Sequence, residues 1–222
     1  MKKSIITLLF ICSSTILFAQ INELGFFVGG TNYIGDVGKT NYIYPNNIGG
    51  GIIYKWNWNP RIALRGSYSY IPIESNDKNA TNSFRQNRGY KFSNTIHELA
   101  LGIEFNFYEY LFSSEEKNAT PYIFIETSVF NYKTVSSEIS TEVYSYTNTS
   151  SFSIPFGIGY KSKLFKKLGF AIETKFSYSF KDDLDYTTSK IPALNFGEKG
   201  NDWYVFTGVS IVYTFGRPAC YK

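Results

Sequence analysis

Few side chains of this sequence have the types and spacing that catalysis requires. His97, the only histidine among 222 residues, is followed by Glu98, and Ser93 lies on the same strand pattern shortly before it. Histidine, carboxylate and serine side chains serve hydrolases as general base, orienting group and nucleophile. In a β-strand, His97 and Ser93 share one face and Glu98 lies on the other, so no complete catalytic set forms. We therefore predict a protein that is not an enzyme, with a lipid-modifying barrel enzyme built on His97 as an alternative.

The sequence also predicts no metal, cofactor or small-molecule substrate. Asp36, Asp182, Asp183 and Asp185 offer the oxygen ligands that Ca²⁺ prefers, but carboxylates in polar loops are normally solvated. Of the two cysteines in the chain, only Cys220 lies outside the N-terminal segment, which excludes an internal disulfide and a cysteine metal cluster. We expect that thiol either to form an intermolecular disulfide or to be buried and inert.

The N-terminal segment predicts the compartment of the protein. Lys2 and Lys3 precede an apolar run that ends with the small residue Ala19, which is the arrangement of a secretory signal peptide. We expect cleavage after Ala19, which divides the chain into a signal peptide at residues 1–19 and a single domain at residues 20–222. The 22 basic and 18 acidic side chains nearly balance, so we expect no nucleic-acid partner.

The stretch that contains His97 alternates strictly between two kinds of side chain. In HELALGIEFNFY, residues 97–108, every second position from Leu99 to Phe107 is large and apolar, and most positions between them are small or polar. A period of two predicts a β-strand with two unlike faces. Similar patterns predict eight strands, at residues 21–33, 48–56, 61–73, 91–108, 121–132, 152–162, 167–180 and 202–215.

Long and short connections alternate between these strands. Long polar loops are predicted at residues 34–47, 74–90, 133–151 and 181–201, and shorter connections at residues 57–60, 109–120 and 163–166. An up-and-down barrel of the outer membrane has long external loops, short periplasmic turns and an even number of strands. The pattern therefore predicts an all-β protein, an eight-stranded antiparallel transmembrane barrel in the outer membrane with both termini in the periplasm.

The polar face of these strands is predicted to line the lumen of the barrel. An eight-stranded barrel is just wide enough to be filled by side chains, and a charge buried there requires a partner. We therefore predict a filled lumen and a salt-bridge network formed by charged residues of inward parity. These residues are Arg65, Glu104, Glu126, Glu173 and Lys175, with Lys55 and Lys161 on the same face nearer the strand ends.

Several segments of the chain resemble one family of membrane proteins. They are NELGFFVGGTNYIGDVG (22–38), FSNTIHELALGIEFNF (92–107), SFSIPFGIGYK (151–161) and NDWYVFTGVSIVYTFGRPACY (201–221). These segments are similar to PorG, the outer-membrane barrel component of the type IX secretion system of Bacteroidetes. The resemblance implies a non-enzymatic subunit that anchors a periplasmic ring of PorK- and PorN-like proteins to the outer membrane. That machinery secretes proteins and, in gliding species, supports motility.

A periplasmic partner would contact the short connections and the C-terminal tail. The predicted contacts are Glu115, Glu116, Lys117, Lys166, Lys167, Arg217 and Cys220. The connection at residues 109–120 is long for a periplasmic turn, which reflects either such a contact or ordinary variation in turn length. A small outer-membrane porin is a further alternative function, and the filled, charge-paired lumen argues against it.

Overall fold

Eight strands in chain order form most of the molecule. The computed structural model describes residues 21–111, 118–141, 143–197 and 200–216, so the predicted signal peptide at residues 1–19 lies outside the described residues. The strands are β1 (Ile21–Ile34), β2 (Asn47–Asn57), β3 (Ile62–Asn76), β4 (Lys91–Asn106), β5 (Ala119–Ser140), β6 (Val143–Phe165), β7 (Leu168–Ser179) and β8 (Trp203–Gly216). Each of them corresponds to one strand predicted from the period of two.

The strands form a closed ring. Each strand pairs antiparallel with its neighbours in the chain, and β8 returns to β1. These two strands close the ring along their full length, from Ile21 opposite Gly216 to Ile34 opposite Trp203. A closed ring leaves no sheet edge exposed in the barrel wall. The predicted all-β fold with eight antiparallel, up-and-down strands is therefore confirmed.

The connections make the two ends of the barrel unlike. At one end, residues 58–61, 107–118 and 166–167 connect the strands, and Ile21 lies there opposite Gly216. We call this the short-turn end. The other, which we call the long-loop end, carries residues 35–46, 77–90 and 180–202. The connection between β5 and β6 also lies at the long-loop end, and it differs from the prediction.

One predicted loop is wrong. Residues 133–151, predicted as a long loop, instead continue the β-ladder as a hairpin, because β5 runs to Ser140 and β6 begins at Val143. The segment is rich in Thr, Val, Ile and Tyr, which favour extended backbone. Pairing of β4 with β5 ends at Asn131, and pairing of β6 with β7 ends at Ser153. The tip of the hairpin therefore stands beyond the barrel wall at the long-loop end.

The long-loop end also contains short helices. Helix α1 (Ser83–Arg88) begins after Asn82, whose side chain accepts a hydrogen bond from the backbone N–H of Phe84, and ends at Gly89 with φ of 65°. A side-chain oxygen before the first turn and a left-handed glycine after the last satisfy the free backbone groups at helix ends. Among residues 21–111, 118–141, 143–197 and 200–216, no helix is long and apolar enough to cross a membrane.

The two faces of the barrel wall are chemically opposite. On β4, the outward residues Leu99, Leu101 and Ile103 are exposed, whereas Glu98 and Glu104 point inward and are fully buried. A water-soluble sheet would bury the apolar side and expose the charges. The two faces that the sequence alternation predicts are therefore present in the structure, with the polar face towards the lumen and the apolar face outward.

Candidate functional site

A cluster of charged side chains crosses the lumen in the half nearer the short-turn end. We call it the lumen charge cluster, and it consists of the buried residues Lys55, Arg65, Glu104, Glu126, Lys161 and Glu173. The guanidinium of Arg65 lies 3.3 Å from Glu104 and 2.9 Å from Glu126. It also lies 3.2 Å from Glu173 on the opposite side of the barrel. The planar guanidinium carries five donors in a fixed fork, so one arginine connects carboxylates from three different strands.

Glu104 plays the reciprocal part in the same cluster. Its Oε2 lies 2.7 Å from the ammonium of Lys55, and its Oε1 lies 2.6 Å from the ammonium of Lys161. Because Arg65 also contacts this carboxylate, Glu104 is shared by three cations from β2, β3 and β6. Pairing of this kind offsets the cost of removing the charges from water.

Lys175 belongs to a second polar group, one step nearer the long-loop end. It forms an ion pair with Glu98, and the hydroxyl of Tyr204 donates a hydrogen bond of 2.5 Å to the same carboxylate. The structure thus brings four of the five predicted lumen residues into one cluster and places Lys175 beside it. Sequence reasoning missed Glu98, although this residue shares the inward parity of Glu104.

Aromatic rings occupy the space between the charged groups. The guanidinium carbon of Arg65 lies 3.8 Å from the ring centroid of Phe124, and the ammonium of Lys55 lies 5.0 Å from that of Tyr122. The hydroxyl of Tyr122 donates a hydrogen bond of 2.7 Å to Glu173. The negative face of such rings attracts cations. Ion pairs and rings together fill this level of the lumen and tie opposite walls to each other.

Apolar side chains close the lumen at the long-loop end. We call this group the apolar cap, and it consists of Tyr33, Val37, Ile71, Ile73, Phe92, Ile96, Phe130, Tyr132, Leu184 and Tyr204. Val37 comes from the β1–β2 loop and Leu184 from the β7–β8 loop, and both are completely buried. The side chain of Asn94 donates a hydrogen bond of 2.8 Å to the carbonyl of Leu184, which ties that loop to the wall.

Carboxyl groups of the loops surround the apolar cap. The hydroxyl of Tyr33 lies 2.5 Å from Asp202 and 2.9 Å from Asp185. Burial, together with the nearby charges of Asp36 and Asp185, raises the pKa of Asp182 to about 6, because both effects disfavour the ionised form. In the part of the chain that the structure describes, no three carboxylate, histidine or cysteine groups have the geometry of a metal site.

His97 lies on the outward face of the wall among tyrosines. Its Nδ1 is 2.8 Å from the hydroxyl of Tyr68, and its ring centroid is 5.5 Å from that of Tyr70. Ser93 lies about 13 Å away along β4, since a strand rises about 3.3 Å per residue. The structure therefore does not bring a base and a serine nucleophile together at this position.

The short-turn end carries the predicted partner contacts that can be placed. Lys166 and Lys167 form the exposed turn between β6 and β7. The ammonium of Lys167 lies 5.9 Å from the ring centroid of Tyr213, which holds the lysine against the wall. The other predicted contacts, Glu115, Glu116, Lys117, Arg217 and Cys220, lie outside the described residues.

The fold and the lumen together define a class of protein, a small eight-stranded β-barrel with an apolar outer wall and a filled interior. The chain belongs to the family described as a domain of unknown function, DUF6089, which it matches over residues 2–222. No curated protein has a sequence that matches this chain.

Solved structures with a similar fold are outer-membrane proteins of low sequence identity. A major outer membrane protein from Thermus thermophilus has a TM-score of 0.50 and 11% identity, and the match covers 88% of this chain and 99% of that chain. Ail, the attachment invasion locus protein of Yersinia pestis in complex with the heparin analogue sucrose octasulfate, has a TM-score of 0.48 and 14% identity over 89% of this chain and 100% of that chain. The N-terminal β-barrel domain of Pseudomonas aeruginosa OprF has a TM-score of 0.46 and 11% identity over 89% and 98% of the two chains. At these identities the likeness concerns the fold alone.

Proposed function

We propose that this chain is a barrel of the outer membrane and that its short-turn end faces the periplasm. The outward face supports this placement, because its exposed side chains form an apolar surface that water disfavours. Examples from five strands are Phe26, Leu101, Ile125, Phe152 and Ile211. The predicted signal peptide at residues 1–19 and the periplasmic position of short turns in such barrels agree with it.

We further propose that the barrel acts as an anchor in the type IX protein secretion machinery. The observation that carries this proposal is the lumen charge cluster, because ion-paired side chains occupy the level of the lumen that a solute would have to cross. A filled barrel acts through its surfaces, and the resemblance to PorG favours a non-enzymatic subunit. Its partners would be periplasmic ring proteins that resemble PorK and PorN.

The short-turn end offers a basic surface for such a partner. Arg61, Lys166 and Lys167 all lie at or beside the turns of this end. Arg61 is half-exposed and lies 3.8 Å from Glu109, so one of these charges already has an acidic neighbour. Exposed basic side chains favour an acidic partner surface and an association that salt weakens.

Co-purification from outer membranes tests the anchoring role. With a C-terminal affinity tag and extraction in mild detergent, we expect a periplasmic ring protein to be recovered with the barrel in a constant ratio. The double substitution Lys166→Glu, Lys167→Glu is expected to lower that ratio by reversing the charge of the turn. Lys190→Glu, at an exposed position of the long-loop end, is the matched control. A barrel recovered alone would overturn the proposal.

Conductance separates the anchor from a porin. In planar bilayers, the purified barrel is expected to produce no discrete openings, because the lumen charge cluster and the apolar cap both occupy the lumen. Regular single-channel steps from the wild-type barrel would favour the porin instead.

A further inference from the structure

The hairpin formed by the ends of β5 and β6 has two strand edges beyond the barrel wall. Its strands pair with each other from Lys133 opposite Asn148 to Ser140 opposite Val143. Neither strand has its barrel neighbour there, since the β4–β5 ladder ends at Asn131 and the β6–β7 ladder ends at Ser153. A strand edge displays backbone donors and acceptors that another strand can pair with, so the state of each edge decides what it can bind.

The edge of β5 is blocked. The side chain of Asn94 donates a hydrogen bond of 2.8 Å to the carbonyl of Lys133 and accepts one of 3.2 Å from its N–H. One side chain thus satisfies the backbone groups that would begin a new ladder. The register then shifts twice, between Val135 and Ser137 and between Glu138 and Ser140. Bulges and charged side chains are the usual means by which proteins protect a strand edge.

The edge of β6 is open. The carbonyl of Phe152 accepts a hydrogen bond of 3.3 Å from the N–H of Phe180, which fixes the side of β6 that faces away from β5. The backbone groups of alternate residues point to the same side of an antiparallel strand, so those of Ser150, Asn148 and Tyr146 leave by this edge. Within the described ranges, none of these six backbone groups has a hydrogen-bond partner.

The open edge also lacks the protection found on β5. Residues 143–151, VYSYTNTSS, contain no charge and no proline, and they pair with β5 without skipping a residue of their own. We call residues 143–151 the β6 edge. At about 3.3 Å per residue, the unpaired backbone groups named above, from Tyr146 to Ser150, offer a template about 13 Å long.

We propose that the β6 edge binds an extended, uncharged segment of another protein outside the cell by β-augmentation, in which the segment adds a strand to the hairpin. The outward position of the hairpin rests on the membrane orientation given under Proposed function. Main-chain hydrogen bonds provide affinity in this mode, and alternate side chains provide selectivity. Because Tyr146, Thr147 and Asn148 offer no charge to pair with, β-branched, aromatic and hydroxyl side chains suit the incoming strand.

A second copy of this chain suits the β6 edge less well than a different protein does. Two copies inserted in one membrane carry β6 in the same direction, so their edges could meet only as parallel strands. Parallel pairing is slightly less stable per residue than antiparallel pairing. A segment of a protein that is not held in this membrane orientation is free to run antiparallel.

Selection of peptides on the full-length barrel in detergent tests the proposal. The probe is a displayed library of nine-residue segments built from Ser, Thr, Val, Tyr and Asn. Enriched peptides are expected to slow amide hydrogen exchange at Tyr146, Asn148 and Ser150. The intervening amides of Thr147 and Thr149 already face β5 and are expected to change little. Failure to enrich any peptide, or protection confined to other loops, would overturn the proposal.

Two substitutions at one position separate the backbone from the side chain. Asn148→Pro removes one outward N–H but leaves the β5–β6 ladder its donors, so peptide affinity is expected to fall roughly tenfold. Asn148→Thr keeps the N–H and is expected to bind as the wild type does. Equal affinity of the proline variant would contradict β-augmentation.

If the proline variant does not fold, a chemical change in the peptide instead of the barrel tests the same backbone hydrogen bonds. N-methylation of alternate peptide amides is expected to abolish binding for one set of positions and to spare the other, because only one set faces β6. Loss at every position, or at none, would overturn the proposal. A wild-type dimer that Asn148→Pro converts to a monomer would also overturn it, in favour of a second copy as occupant. These readouts concern the purified barrel and its long-loop end, so they are independent of co-purification at the short-turn end.

Discussion

The lumen charge cluster and the apolar cap are built on the same inward faces of the same strands, yet different forces hold them together. On β3, Arg65 lies in the charge cluster, whereas Ile71 and Ile73 lie in the cap. In the cluster, opposite walls meet through ion pairs. In the cap, loops supply Val37 and Leu184, and burial of apolar surface provides the stabilisation.

The lumen therefore has two levels that differ in what fixes their geometry. Strand residues provide every member of the charge cluster, so its geometry is fixed by the closed ring. The cap depends on loop residues that the ladder does not hold. Changes in the cluster should therefore affect the whole barrel, and changes in the cap should affect the long-loop end first.

The largest expected effect is the loss of the central arginine. Arg65→Leu would leave Glu126 and Glu173 buried without their main cation, and removing one partner of a buried ion pair costs about 3–5 kcal/mol. Urea unfolding of the barrel in detergent measures the loss of stability. The fraction folded is read from the difference in gel mobility between the folded and the heat-denatured barrel. Arg65→Lys retains a charge but not the fork, so its loss should be smaller. Unchanged stability of Arg65→Leu would show that the cluster does not hold the walls.

Truncation in the cap should open the loop without unfolding the barrel. Leu184→Ala removes a completely buried side chain, and we expect a loss of about 2–3 kcal/mol because a loop can relax around the cavity. Amide hydrogen exchange should accelerate over residues 180–202 and stay slow in the ladder. Leu164→Ala, at an exposed position of the short-turn end, is the matched control. Global unfolding of the Leu184 variant would contradict the prediction that the apolar cap opens while the lumen charge cluster and the strand ladder stay intact.

A rise in pH should weaken the cap. The pKa of Asp182 is raised from 3.8 to about 6 in the folded protein, so the closed loop holds its proton more tightly than the open loop. This contribution is present below about pH 4 and is lost as pH rises through about 6. Exchange rates of residues 180–202, corrected for intrinsic chemistry, should rise over this range. Asp182→Asn should flatten that dependence, and an unaltered slope would assign the effect to another group.

The smallest expected effect concerns the outer face. His97→Ala removes one exposed hydrogen bond to Tyr68, which costs about 1 kcal/mol or less. Outer-leaflet lipid composition should stay unchanged, as measured by mass spectrometry. Tyr68→Phe removes the same contact from the other side and serves as the control. Loss of a lipid modification in the His97 variant alone would restore the enzyme alternative.

The strands of the barrel wall can be predicted from the sequence, because the residue pattern that indicates them is local. Alternation along each strand separates outward residues such as Leu101 from inward residues such as Glu104, and it requires no knowledge of the other strands. The same parity identifies the charged residues of inward orientation. It does not identify partners, so the division between the Arg65 cluster and the pair of Lys175 with Glu98 appears only in the structure.

The cap and the hairpin escaped prediction for different reasons. Ile71 and Ile73 point into the lumen although they are apolar, and they pack in one cluster with loop residues such as Leu184, which lies more than 100 positions away in the sequence. The hairpin at residues 133–151 lacks the strict alternation of large apolar residues that predicts the other strands, and its Thr, Val, Ile and Tyr residues are a weaker signal for extended backbone.

The contacts of Arg65 have a consequence for the order in which the protein folds. Its carboxylate partners Glu104 and Glu173 lie 39 and 108 residues away in the chain. Contacts of such long range form late, after the loop-closure entropy between them has been overcome. In the bilayer location proposed above, a partly paired sheet would present unpaired charges to hydrocarbon, which is costly. Ring closure and charge neutralisation would then be coupled, and this coupling would favour insertion of the barrel as one cooperative step.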